Sequence, residues 1–241
     1  MSASARSEIA KLARLLGLAD PEPLGYLEKV PPEELRAYRE AVTDLLYDDG
    51  REVLARMADA AGLLPTGTLA KMGERALGPL VCARLSGMLE PRRAAEIAGH
   101  FPVEFLAALA AEMDPRRAVE VVSATPPHLV VEIALAMAAQ GEHVAMGRFV
   151  AHLDDDTLAN CLNRMGDEDL LRVAFVLEGE RGHERMFEIL RVERMRELLD
   201  RGESAGLGEE VSYFREHLSA SQRKQLGRAA KSSAGRRLRA G

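Results

Sequence analysis

Apolar residues recur at i, i+3 and i+4 along most of this chain, the spacing that gathers them on one face of an α-helix. The pattern is clearest where it is written twice. LEPRRAAEIAGHFPVEFLAALAAEM (89–113) aligns without a gap with MDPRRAVEVVSATPPHLVVEIALAM (113–137), 24 residues further on. In the first half of each copy Ala94, Ile97 and Ala98 match Ala118, Val121 and Val122. In the second half Leu106, Leu109, Ala110 and Met113 match Val130, Ile133, Ala134 and Met137. Each copy predicts two short helices whose apolar faces serve as core contacts, and together they form an internal repeat.

The ends of these helices carry matching chemistry. Asp114 is suited to accept backbone N–H bonds as a cap, and Pro115 brings a preset φ to the first helical position, where no N–H partner is needed. Glu90-Pro91 is the equivalent start one repeat earlier. Pro102 and Pro126 open the second helix of each copy and bar the first from continuing, which predicts a tight hairpin of helices.

Fainter copies lengthen the array. Residues 153–177 place Leu158, Cys161 and Leu162, then Leu170, Val173, Ala174 and Leu177, at the same phases. VPPEELRAYREAV (30–42) repeats the Pro-led second helix, with Leu35, Tyr38 and Val42 in phase, while 63–87 has a helix–Gly-Pro–helix outline in poor phase. An extra segment, 139–152, reads as a short helix interrupting the period. The ends do not follow the repeat: helices are expected at about 4–17, 182–200 and 207–218, with a Gly-bearing connector at 178–185. Ser219 and Gln222 form a capping-box pattern that opens a last helix, 220–230. The chain beyond Ser232 is expected to be disordered.

A hairpin of two helices of about a dozen residues cannot hold its apolar stripe alone, because isolated helices of that length are marginal in water. Stacking solves this. The expected fold is all-α, a right-handed superhelix of the armadillo or HEAT kind, an α-solenoid of short hairpins. Its divisions are N-terminal helices with a degenerate repeat (1–62), a helical-repeat core (63–177), capping helices (178–218) and a basic tail (219–241).

Composition adds to this picture. Trp is absent and aromatics make up 4% of the chain, so the apolar content sits in residues that favour helix over strand. The two cysteines, Cys82 and Cys161, belong to no CxxC pair and read as small buried hydrophobes. No stretch reads as a signal peptide or a membrane span, and a cytoplasmic protein is expected. The net charge is −6, but 219–241 carries seven basic side chains and no acid, which leaves −13 on the rest. Arginine outnumbers lysine 27 to 5, as a GC-rich coding sequence would produce, so arginine counts alone say little about phosphate binding.

The units Asp-Pro-Arg-Arg-Ala-Val-Glu (114–120) and Pro-Pro-Glu-Glu-Leu (31–35), with helix starts 11 to 12 residues apart, resemble the intracellular N-terminal domain of MgtE-type magnesium transporters. The resemblance covers 87–177 best and extends over 20–177. The middle domain of the flagellar switch protein FliG uses a comparable pattern. The MgtE transporters continue into a CBS module and a membrane domain, and these 241 residues hold neither. What the resemblance implies is a superhelical domain used for contacts or regulation, and a metal role only through acids shared with an absent neighbour module.

Catalytic signatures are missing: there is no HExxH, GxSxG, GxxxxGK[ST] or GxGxxG, and the expectation is a protein that is not an enzyme. Asp154, Asp155 and Asp156, with Asp167 and Asp169 at the next helix start, are the acids that would suit a hard cation such as magnesium; no other cofactor is expected. Acids also favour helix N-termini for their own sake, because the free N–H groups and the dipole stabilise them. The pairs Arg92-Arg93 and Arg116-Arg117 would form a ladder for an acidic peptide or phosphate if the repeats stack, or a solvated face pairing with Glu96 and Glu120. The tail residues Arg223, Lys224, Arg228, Lys231, Arg236, Arg237 and Arg239 suit an acidic partner or polyanion, including this chain's own body. The expected function is a protein-interaction scaffold or regulatory domain with a protein partner or a second copy of itself. The alternative is a sensor of a divalent cation or small ligand, which a closed cavity would favour.

Overall fold

A computed structural model describes residues 3–48, 50–177 and 179–227, and every regular element among them is helical. The first repeat becomes α6 (Pro91–Ala98) and α7 (Val103–Glu112), and the second α8 (Pro115–Ala124) and α9 (Pro127–Ala139). Before them lie α1 (Ala3–Leu15), a 3₁₀ segment (Glu22–Lys29), α2 (Pro32–Asp48), α3 (Arg51–Ala61), α4 (Thr66–Met72) and α5 (Gly78–Ser86). After them come α10 (His143–Phe149), α11 (Asp155–Arg164), α12 (Asp167–Phe175), α13 (Gly179–Ile189), α14 (Val192–Ser204) and α15 (Gly208–His217). A further helix, α16, is described over 220–227. Among the described residues no helix is long and apolar enough to cross a membrane.

The caps expected from sequence are present. The Asp114 carboxylate accepts from the Arg116 N–H at 3.2 Å, and Glu90 accepts from the Arg93 N–H at 2.9 Å. At α16 the capping box closes in both directions, Ser219 N–H to Gln222 Oε1 at 2.9 Å and Gln222 N–H to Ser219 Oγ at 3.2 Å. Each bond satisfies a donor that the first helical turn would otherwise leave free.

Helices two apart in sequence approach more closely than consecutive ones in the middle of the chain. One row runs α3, α5, α7, α9, α11 and α13, and a second runs through α4, α6 and α8. The inserted segment forms α10 and a 3₁₀ turn (Val150–His152), and α10 packs on α12, which in turn packs on α14 and α15. One extra helix exchanges the rows: α11, a first helix by its sequence phase, continues the row of the second helices α7 and α9. The crossing of α10 with the end of α12 is close, since a Cβ on Gly147 would lie 2.7 Å from the Val176 carbonyl oxygen.

Four sequence expectations meet a different local structure. In 63–87 a π-helical turn (Gly73–Leu77) joins α4 to α5, and its wider turn shifts the phase that the pattern failed to match. On α2 the buried positions are Leu35, Arg39 and Thr43, while Tyr38 is 60% exposed, because Arg39 turns inward to a buried carboxylate on α1. The connector expected at 178–185 is helical from Gly179 onward. The helix expected at 182–200 is two helices, α13 and α14, separated at Leu190 and Arg191.

The main core joins α10–α15 with the inner ends of α7 and α9. Against it lies α1, buried on almost all sides. The buried Glu8 carboxylate accepts from Lys11 Nζ at 2.8 Å and from Arg39 Nε at 3.2 Å. Burial alone would raise the Glu8 carboxyl, but Lys11, Arg39 and Arg36 beside it override this and hold it below its ordinary value. Lys11 also donates to the Leu177 carbonyl at 3.3 Å. Arg14 spans to Glu112 at 2.9 Å and Glu142 at 3.0 Å, so the first helix is tied to the end of α7 and the start of α10.

Candidate functional site

Between the two rows runs a cavity of about 360 Å³, lined by residues of every helix from α3 to α12. The residues that face it are the ones the repeat marks out. Ala94, Ile97 and Ala98 line it from α6, and Val121 and Val122 from α8. Leu106, Leu109 and Ala110 line it from α7 and Val130, Ile133 and Ala134 from α9, with Met113 and Met137 following in phase. The third copy adds Leu158, Cys161, Leu162 and Val173. The positions read from sequence as core contacts thus face one another across a gap, and many of them, Val130, Ile133 and Ala134 among them, are only half-buried.

The lining is apolar. Its hydroxyls are turned away from the cavity to their own helices, Ser86 to the Ala83 carbonyl and Thr125 to the Val121 carbonyl, each at 2.8 Å. Both cysteines of the chain line the cavity. Burial pushes each thiol up to about 11, so both are neutral hydrophobes near pH 7. On the π turn Gly73 lies against Cys82 and Phe101, and a Cβ there would come within 2.9 Å of both. Protein interiors are normally close-packed, with few voids larger than a water molecule. A pocket of this size and chemistry suits an apolar ligand.

Three of the four paired arginines, Arg93, Arg116 and Arg117, are used within the fold. Arg93 reaches from α6 to the carbonyls of Ala61, at 2.9 Å, and Leu64. Arg116 bonds Asp114 at 2.9 Å and Asp44 at 3.0 Å. Arg117 bonds Asp44 at 3.1 Å and sits over the Tyr47 ring, 5.2 Å from its centre. Asp114 is fully buried; besides capping α8 it gathers Arg116, Arg117 and, from α10, Arg148 at 3.3 Å. Its backbone N–H donates to the Tyr47 hydroxyl, which donates to the Glu112 carbonyl. Arg92 is exposed. Of the tail, Arg223 bonds the Leu218 carbonyl at 2.9 Å and Lys224 is exposed, whereas Arg228, Lys231, Arg236, Arg237 and Arg239 lie outside the described residues.

The acids are similarly dispersed. Asp154 caps α11 through the Thr157 N–H at 2.8 Å, and this bond is the first cause of its carboxyl lying below the ordinary value. Asp155 pairs with Arg185 at 2.7 Å and Asp156 is exposed. Asp167 pairs with Arg194 at 2.7 Å, and Asp169 with His143 at 2.7 Å. Among the described residues no three His, Cys, Asp or Glu side chains converge as a metal would need.

Sequence reasoning missed the cavity because a volume depends on what faces what across two rows. No local signal gave it away, because Ala174 holds the same repeat position as Ala110 and Ala134 and is nevertheless wholly buried. Comparison with protein-family models, with curated proteins and with solved structures finds no match for this chain.

Proposed function

We propose that this chain is a non-enzymatic, cytoplasmic helical-repeat protein that binds an apolar small molecule between its two rows of helices and acts through contact with a protein partner. The observation that carries this reading is the cavity: the repeat's apolar face lines a continuous space of about 360 Å³ with no charged side chain in its wall. Of the two functions expected from sequence, the small-ligand branch of the alternative gains from this. We read the two rows as stacked hairpins of the solenoid kind that the MgtE resemblance implies. A protein partner has a candidate surface on α2, where Tyr38 and Leu45, two turns apart on one face, are exposed.

Titration with the apolar fluorophore N-phenyl-1-naphthylamine tests the reading. Saturable binding of about one fluorophore per chain, accompanied by a higher melting temperature, is expected. Absence of saturable binding, or binding unaffected by Ala134→Phe in the middle of the cavity, would overturn it.

A further inference from the structure

The shape and lining of the cavity narrow what it takes, and this step rests on the ligand-binding reading above. We infer that its ligand is a single linear hydrocarbon chain, threaded tail-first through a mouth at the α3–α4 corner toward a closed end at α11 and α12, with its polar end left at the mouth.

Exposure places the mouth. Among all the lining residues only Ala60, Leu64 and Met72 are exposed, Leu64 to 39% and Met72 to 48%, and they sit at the end of α3, in the following turn and at the end of α4. At the other extreme Leu158, Cys161, Leu162, Met165 and Val173 are all buried. Reach fixes the shape. One space touches both α3 and α11, which are four helices apart along one row, so it runs across several helix spacings and is elongated rather than round. An elongated apolar space matches an acyl or alkyl chain.

The lining fixes the orientation. A carboxylate or other acceptor drawn into the interior would lose its water and find no donor, since the Ser86 and Thr125 hydroxyl protons are already given to backbone carbonyls. The buried part of the ligand is therefore hydrocarbon throughout. Polar groups are found instead at the rim, where Arg93 holds the Ala61 and Leu64 carbonyls and Thr66 Oγ1 lies 3.1 Å from His100 Nε2.

The chain's two cysteines provide the measurement, because Cys82 lies on α5 near the mouth and Cys161 on α11 at the closed end. The full chain is treated with methyl methanethiosulfonate at about pH 9.5, where thiols held up at about 11 begin to yield a small thiolate fraction, and modification of each cysteine is followed by peptide mass with octanoate, dodecanoate or hexadecanoate present. Octanoate is expected to slow Cys82 by about tenfold at ten times its Kd and to leave Cys161 unchanged. Hexadecanoate is expected to slow both. Equal protection by all three acids, protection of Cys161 by octanoate, or no protection at all would overturn the inference. Absence of saturable fluorophore binding to the unsubstituted chain would instead overturn the broader reading. In Ala134→Phe, shown to be folded by an unchanged or raised melting temperature, octanoate still protects Cys82 and hexadecanoate no longer protects Cys161; continued protection of Cys161 there would also sink the threading.

Discussion

Residues at one phase of the repeat meet two fates. On α9 Val130 and Ala134 are half-buried beside the cavity, whereas Leu170 and Ala174, which the repeat places at the same positions on α12, are wholly buried. Both are short regular helices, and their different starts, Pro126-Pro127 and Gly166-Asp167, lie outside the compared positions, so local structure does not separate them. Neighbours do. α12 has α10, α14 and α15 packed on it, and the filling side chains there are large: Met186, Met195, Leu198 and Phe214 are fully buried, with Phe187 edge-on to Phe214 at 4.6 Å. Across from α9 stand the alanines and branched residues of α6 and α8. A repeat pattern guarantees that apolar faces meet, but the volumes on those faces decide whether they close.

The largest effect is expected where α1 seals the packed side. Glu8→Gln leaves Lys11 and Arg39 buried without their carboxylate, at a cost of about 3–5 kcal/mol by urea unfolding at neutral pH. The sign of the pH dependence follows from the lowered carboxyl. Its contribution is complete above the ordinary value of 4.5 and drains away as pH falls through the lower folded value. Below pH 4.5 the unsubstituted chain should therefore lose stability more steeply than the variant, and parallel curves would remove Glu8 from the account.

Truncation at matched positions tests the comparison directly. Leu170→Ala should cost about 2–5 kcal/mol and Val130→Ala about 1 kcal/mol, because the second residue already borders open space. Equal losses would mean that the two regions are packed alike. Enlargement should reverse the sign between them: Ala174→Leu destabilises by about 1–3 kcal/mol through overpacking, while Ala134→Leu raises stability by up to ~1 kcal/mol as it fills the cavity. Loss of stability in both would argue that the cavity has no room for three further carbons.

The smallest difference lies within one arginine pair. Arg93→Ala, which frees the Ala61 and Leu64 carbonyls, should cost about 1–2 kcal/mol, and Arg92→Ala less than about 0.5 kcal/mol. Thermal melts of the two variants check this, and the reverse order would move the arginine that acts from the rim to the solvent face.

The features legible in the sequence are those decided within a few residues. Glu90-Pro91, Asp114-Pro115 and Ser219 with Gln222 mark helix starts because a cap is made by atoms three positions apart or fewer. The inserted α10 was visible as a break in the period. The division at Leu190 and Arg191 was not, since neither Gly nor Pro marks it. Arg39 reads as a surface residue until Glu8, 31 positions away, is set beside it. The candidate arginines and acids were rightly seen as helix-start residues, but their partners, such as Asp44 for Arg116 and Arg185 for Asp155, come from distant helices that no local spacing reveals.

The seating of α1 also sets an order of events in time. Its Lys11 bonds a carbonyl 166 residues later in the chain. At a synthesis rate of about 5–20 residues per second, α1 waits roughly 10 to 30 seconds for that partner to be made. During that interval Ile9, Leu12 and Glu8 can already pack on the 3₁₀ segment and α2, while the contact of Lys11 with the end of α12 waits. The middle helices, whose neighbours are two elements away, can assemble meanwhile, and the bonds of Lys11 and Arg14 to the later helices are among the last contacts to be locked in place.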